Sequence, residues 1–316
     1  MKHLQDSRPD PFRAEMKIKR WIMPLSVLGE AEQELFNHAD CIPALKDGPE
    51  QFSFSGASAQ HQGSRRSLRM RTLRMFPVMR RLGKDIIASL ETVDRNPTKP
   101  KEIVTDEFLR EFEEQAYSLG IGVIGYTDLP REAVFKDKAV LFDRVIVLAM
   151  EMDKDKIDAA PSVETMHMVM DTYYRLGQTV NVLVDYLREQ GYAVQGGHPM
   201  GGQALYPLMG EKAGMGYHGR HGMLITPQFG PRQRLAAIYC NIKNLPSAQT
   251  DQHTGIADYC ERCGRCISTC PVKAIYEKPI PHKSGILTHI DGGRCFQYFS
   301  NNYSCSVCVK ECFFNK

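Results

Sequence analysis

Eight of the ten cysteines of this 316-residue chain fall within its last 57 residues, and their order is the first chemical signal. Cys260, Cys263, Cys266 and Cys270 stand in the run CERCGRCISTCP, a C-x2-C-x2-C-x3-C-P spacing, and Cys295 precedes Cys305, Cys308 and Cys312. Three thiolates on one tight loop reach three corners of a [4Fe–4S] cubane, and where two such clusters occur the fourth cysteine ligates the other one. The crossed sets are therefore Cys260, Cys263, Cys266 and Cys312 for one cluster, and Cys270, Cys295, Cys305 and Cys308 for the second. Paired C-x2-C groups also build tetrahedral zinc sites; eight cysteines in crossed order, with Pro271 after the fourth, favour cubanes. The second half departs from the plain pattern, because nine residues separate Cys295 from Cys305 and Phe313 follows the last cysteine where proline is usual. Cys41 and Cys240 stand alone and read as ordinary thiols.

A second chemical signal is glycine-rich. Gly214-Met215-Gly216-Tyr217-His218-Gly219 satisfies G-x-G-x-x-G, which in a dinucleotide site follows a strand and is answered by an acid about 20 residues on. Here Ala204 to Lys212 reads as helical and residues 236–242 offer no acid, so a nucleotide cradle is not expected. His198, His218 and His221 lie in the same glycine-rich region.

The elements that must position these groups show clearest from Thr105 onward. Thr105 is a candidate N-cap, Phe108, Phe112, Ala116 and Leu119 follow at helical spacing, and Gly120 is a stop. Ile121 to Tyr126 and Arg144 to Met150 are β-branched-rich runs that read as buried strands of one sheet. From about Ser162 to Gln190, Met166, Val169, Tyr173, Leu176, Val180, Leu183 and Leu187 recur three and four apart, so one stripe of a long helix faces a core. The alternation points to a mixed α/β (α+β) domain over residues 103–245, followed by a cluster domain over 246–316. Residues 1–102 have weak periodicity, a Gly/Ser/Gln stretch from Ser53 to Ser64 and a polar boundary at Asn96-Pro97-Thr98-Lys99-Pro100, and read as an accessory region.

Composition bounds the setting. Hydrophobic residues make up 42% and charged residues 24%, as in a soluble globular protein. No apolar run approaches the roughly 20 residues of a spanning helix. Asp6, Asp10, Arg13 and Glu15 stand where a secretory leader needs an apolar stretch, so a cytoplasmic location is expected, at most peripheral to the inner membrane surface. Net charge is only +3, yet Gln51 to Lys84 holds eight Lys or Arg and no acid. The basic stretch at residues 65–84 is expected to be either a solvated arm or a contact with an anionic membrane surface or an acidic partner. No nucleic-acid partner is expected.

Three separated segments agree, in order, with one family. AGMGYHGRHGMLITPQFGPRQRL (Ala213 to Leu235), VIVLAMEMDKDKIDAAP (Val145 to Pro161) and the tail ending CSVCVKECFFNK resemble the corrinoid-dependent reductive dehalogenases over roughly residues 105–316. The epoxyqueuosine reductases, relatives of that family, share the two-cluster tail and the A-G-x-G-x-x-G-[KR] run. The resemblance implies a nitroreductase-like core holding cobalamin or another cobamide, a ferredoxin-like domain with two [4Fe–4S] clusters, an organohalide or other small-molecule substrate, and a low-potential donor such as ferredoxin or flavodoxin. It carries the catalytic tyrosine onto Tyr173 and the active-site arginine, the second of G-P-R-x-R, onto Arg234. Gly214, Gly216, Gly219 and His198 are then expected on the cofactor side. Two departures stand out: Gly197-His198-Pro199 replaces the asparagine common in dehalogenases, and Met200 replaces the acidic proton donor of epoxyqueuosine reductases. Reductive dehalogenation is the leading expectation. An electron-transfer or corrinoid-handling protein, or an epoxyqueuosine-reductase-like enzyme with another substrate, is the alternative.

Overall fold

Residues 28–51, 65–246 and 253–316 are described by a computed structural model, without the side chains of residues 65–76, 79 and 92. The leader argument from the first residues, the Ser53 to Ser64 stretch and the side chains of Arg65 to Arg74 lie outside the described residues.

Two N-terminal pieces come first, α1 (Leu28–Phe36) with the short strand β1 (Ile42–Pro43), and the long helix α2 (Arg65–Glu91). Helix α3 (Asp106–Ser118) begins where the sequence places it, because the Thr105 hydroxyl accepts from the Phe108 N–H at 3.2 Å and Asp106 and Glu107 occupy its positive end. Strands β2 (Val123–Asp128), β3 (Ala139–Val140) and β4 (Arg144–Glu151) and the single turn α4 (Lys154–Asp158) lead to α5 (Val163–Glu189). Ser162 caps α5 by accepting from the Thr165 N–H at 3.1 Å, and Gly191, at φ +94°, turns the chain out of it. Then come β5 (Val194–Gly197), α6 (Tyr206–Lys212), β6 (Tyr217–His218), β7 (Leu224–Ile225) and β8 (Gln233–Cys240).

The main sheet has the order β2-β4-β8-β5, and every neighbouring pair is antiparallel. Period-two alternation separates its faces. Ile146, Leu148, Met150, Ala236 and Ile238 point toward α3 and α5, where they meet Phe112, Ala116, Leu176, Val180, Leu183 and Leu187. Val145, Val147, Ala149, Ala237 and Tyr239 point the other way, onto Met209 of α6 and Leu224 of β7. Each of these large side chains, fully buried, contributes about 1.5–3 kcal/mol, so the sheet is pinned in register from both sides.

Residues 1–102 read as accessory, yet the last part of that span packs into this core. Leu82, Ile86, Ile87 and Leu90 of α2 are buried, and Asn181 of α5 donates to the Asp85 carbonyl at 3.1 Å. Gly196 of β5 explains the close approach, since a Cβ there would stand 3.2 Å from Cβ of Ser89. The apolar half of α2 was hidden from a periodicity reading by the arginines ahead of it.

The C-terminal part consists of α7 (Thr254–Cys263), α8 (Arg265–Thr269), the hairpin β9 (Ile275–Pro281) and β10 (Leu287–Ile290), α9 (Gly292–Asn301) and α10 (Val307–Lys310). It is fastened to the core at several points. The buried Arg232 guanidinium donates to Glu151 Oε1 at 2.7 Å, Asn315 Oδ1 at 3.1 Å and the Lys316 carbonyl at 3.3 Å. Gly230, at φ +56°, passes so near the tail that a Cβ would stand 2.0 Å from the Phe314 carbonyl oxygen. Among the described residues, no helix is long and apolar enough to cross a membrane.

Candidate active site

The chain folds its eight C-terminal cysteines into two neighbouring groups. Cys312, on the loop after α10, lies in the electrostatic reach of Cys260, Cys266 and Cys263. Cys308 lies in that of Cys295, Cys305, Cys266 and Cys270. These neighbourhoods are compatible with the crossed partition, and Cys266 is also a neighbour of Cys308. Burial, reinforced by the neighbouring thiols, pushes Cys266 and Cys295 up to about 11 and Cys312 up to about 12. Thiols crowded and desolvated in this way are stable as protonated groups only until a metal centre takes the protons' place. Among the described residues no His, Cys, Asp or Glu group is placed around a single metal ion; the cysteine sets suit a polynuclear centre, whose corners hold ligands apart. Peptide N–H groups also aim at the sulfurs, Ala274 N–H lying 3.3 Å from Cys270 Sγ. Tyr303, Ser304, Cys305 and Ser306 all have positive φ, from 28° to 60°, a run that non-glycine residues rarely adopt.

Beside the second set opens a cavity of about 1080 Å³, at the upper end for small-molecule sites. Cys295 and Phe299 of α9 form one wall, Met170 and Tyr173 of α5 another, and Met200 to Gly202 a third. Its remaining wall comes from Leu28 and Glu32 of α1, Lys46 to Gln51, and the hairpin from His282 to Ile290. Nothing in the sequence marked α1, the 46–51 strap or the hairpin for this role, since each contributes by tertiary placement alone. His218 and His289 line the cavity with ring centroids 4.3 Å apart, and His289 Nδ1 is buried without a partner. A space this large, walled partly by backbone and by an imidazole nitrogen lacking a partner, fits a bulky cofactor that offers hydrogen-bond donors at its edge.

Tyr173 and Arg234 come together at this wall. The Arg234 guanidinium carbon sits 4.6 Å from the Tyr173 ring centroid, and both line a side chamber of about 130 Å³ with Pro199, Tyr206 and Met223. Helix α5 presents Tyr173 between the buried Thr172 and Leu176, while β8 presents Arg234 opposite Met150 of β4. Arg234 Nε is buried without a partner in the described structure.

The other expected site residues are placed elsewhere. His198 is 1% exposed, its Nδ1 against the Met200 N–H at 3.0 Å and its Nε2 turned toward Gly177 of α5. Burial lowers its imidazole to about 4, so it is neutral at physiological pH. It does not line the cavity, whereas its neighbours Pro199 and Met200 do. Gly214, Gly216 and Gly219 do not line it either; they form the turn between α6 and β6 and its continuation toward β7.

Comparison with known proteins fits this arrangement. A 4Fe-4S binding domain family matches residues 254–276. The tetrachloroethene reductive dehalogenase of Desulfitobacterium hafniense is 31% identical over 219 residues, covering 62% of this chain and 37% of that protein. That of Sulfurospirillum multivorans is 30% identical over 207 residues, covering 61% and 40%. The epoxyqueuosine reductase of Aliivibrio fischeri is 27% identical over 166 residues, covering 50% and 41%. A solved catabolic reductive dehalogenase shares the fold at a TM-score of 0.68 and 16% identity, over 88% of this chain and 43% of that one. The chain therefore spans about two fifths of the length of the relatives it matches. Taken with the two cysteine sets and the cavity beside them, these matches make the chain an iron–sulfur homologue of the reductive dehalogenases, with the epoxyqueuosine reductases as further relatives.

Proposed function

We propose that this chain is a corrinoid- and iron–sulfur-dependent reductase whose reaction is the reductive dehalogenation of an organohalide. The observation that carries the reading is one cavity walled on one side by Cys295 of a cluster set and on another by Tyr173 with Arg234 behind it. Bound in that cavity, a cobamide would supply a strongly reducing cobalt centre for carbon–halogen cleavage, and [4Fe–4S] clusters on the two cysteine sets would supply its electrons.

Replacing halogen by hydrogen takes two electrons and one proton and releases halide. Tyr173 holds that proton on its hydroxyl, at the cavity wall. Arg234, fixed over the ring, orients the tyrosine and offers positive charge to the phenolate left after transfer. Apolar neighbours, Met170, Met200 and Phe299, keep bulk water from competing as proton source. Met200 occupies the position at which the epoxyqueuosine reductases carry an acid, which disfavours their chemistry here.

In this reading residues 103–245 hold cobamide and substrate, residues 246–316 carry electrons, and residues 28–51 and α2 close the cavity. Electrons arrive from a low-potential carrier at the set of Cys260, Cys263, Cys266 and Cys312, the one away from the cavity. The basic stretch at residues 65–84 touches a membrane surface or an acidic partner. Anaerobic reconstitution with iron, sulfide and cobalamin should give about eight irons per chain by the cubane count. Halide release from tetrachloroethene and from a halogenated phenol, with a low-potential reductant, is then measured. Loaded protein that releases no halide from either compound class contradicts the proposal.

A further inference from the structure

We infer that the glycine-rich run ending at Arg220 is a mount that fixes this arginine against the set of Cys260, Cys263, Cys266 and Cys312, raising the reduction potential of the cluster held there. The inference rests on the cluster assignment above, which iron content tests separately.

The glycines of the run are used for close backbone approach, while His218 within it lines the cavity. A Cβ on Gly216 would stand 2.1 Å from the Ile225 carbonyl oxygen, and one on Gly219 would stand 2.7 Å from Ile225 Cδ1. Gly214 and Gly222 take φ of +68° and +77°, which turn the chain back onto β7. Gly219 N–H donates to the Met223 carbonyl at 2.9 Å and Gly222 N–H to the Gly219 carbonyl at 2.8 Å, closing the loop around Arg220. The glycines are thus spent on backbone approach; His218 faces the cavity, and Arg220 projects the other way, to the cluster domain.

Arg220 reaches across to the cluster domain. Its guanidinium donates to the Glu261 carbonyl at 2.8 Å, between Cys260 and Cys263 in the chain, and its Nε is buried without a partner. Its charge acts on both Cys260 and Cys266. A one-electron reduction adds one negative charge to a cluster and moves no proton. A partly desolvated cation beside the sulfurs favours the reduced form, and net charge around the sulfurs helps to set such potentials. With Arg220 in place, the cluster farther from the cavity is the easier to reduce by an external carrier.

The test is an EPR-monitored potentiometric titration of the fully reconstituted chain, with no turnover required. Arg220→Met should change the reduction equilibrium of one cluster about tenfold toward the oxidised form, 59 mV for a one-electron couple, and leave the other unmoved. Arg220→Lys, which keeps the charge, should recover at least half of the shift. Because the backbone is the same in every variant, the shift reports the side chain. Unchanged midpoints in Arg220→Met at full iron content overturn the inference. So does a lysine variant displaced as far as methionine, which would leave the arginine a structural link to Glu261. Should methionine lose iron, Arg220→Gln keeps a donor for the Glu261 carbonyl and is read in the same way; iron loss in all three variants overturns a tuning role.

Discussion

Tyr173 and His198 illustrate how differently two polar side chains in one region are used. Tyr173 is half-buried at the cavity wall beneath Arg234, and removing only its hydroxyl should preserve packing on α5. Tyr173→Phe is therefore expected to keep iron and cobalamin near wild type while halide release falls about 100- to 10,000-fold, the usual range for general acid catalysis. Arg234→Lys should also be slow, since an ammonium keeps the charge but not the planar fork that lies over the ring; the same assay checks both. His198 is instead a buried neutral imidazole packed on Gly177. Burial lowers it to about 4 in the folded chain, against about 6.5 when unfolded. Between those values the unfolded chain binds a proton that the native state refuses, so this contribution is intact above pH 6.5 and is lost as pH falls. His198→Asn should reduce the loss of stability between pH 7.5 and pH 5.5 by about 1 kcal/mol, read from urea midpoints at the two pH values. Equal losses in both proteins would mean that other groups control the acid sensitivity.

At the scale of elements, the cluster ligands show what a short helix and a strained turn accomplish together. Helices α7 and α8 meet at Gly264, whose φ of +64° lets Cys260, Cys263 and Cys266 converge from two directions. Cys270, at the end of α8, is an electrostatic neighbour of Cys295, Cys305 and Cys308. Cys270→Ser should therefore alter the EPR signal of the cluster nearer the cavity and spare the one bound by its own sequence neighbours. Samples reduced with dithionite and with a stronger reductant decide which signal survives. The opposite pattern would place Cys270 in its local loop and undo the crossed assignment.

For the molecule as a whole, function depends on the cluster domain keeping its seat on the core, because the cavity exists only between them. Arg232 is the main polar tie, with its side chain 6% exposed and its partner Glu151 48% exposed. Removing it breaks hydrogen bonds to Asn315, Lys316 and Glu151. Bonds to a charged group contribute about 1.5–3 kcal/mol each when well buried, and the exposure of Glu151 brings the expected loss nearer 1–2 kcal/mol in total. Arg232→Met should accordingly speed hydrogen exchange in the C-terminal residues and in the hairpin from Ile275 to Ile290 while sparing α3. Uniform exchange across the chain would show that the domain is held by its apolar contacts instead. Those contacts are real, since Val309 and Cys308 pack with Met168, Val169 and Tyr173 in one cluster.

The sequence by itself determined the chemistry that local spacing can encode. C-x2-C-x2-C fixes three ligands because a tight loop must bring them together, and Thr105 and Ser162 mark helix starts because their hydroxyls satisfy the first free N–H groups. The α5 stripe was likewise legible from its period of 3.6 and strands β2 and β4 from their β-branched-rich runs, and the ordered match to one family singled out Tyr173 and Arg234. What tertiary structure decided is everything that depends on contacts distant in the chain. Tyr173 meets Arg234 only because α5 crosses the sheet at the end of β8. The end of α2, read as accessory, closes the core because Gly196 lets it approach. His198 and the glycines of the 214–219 run carry the residue types of a binding site, yet they are used for packing and for a turn. Residue type and spacing define what a group can do, and long-range burial decides which face of it meets the cavity.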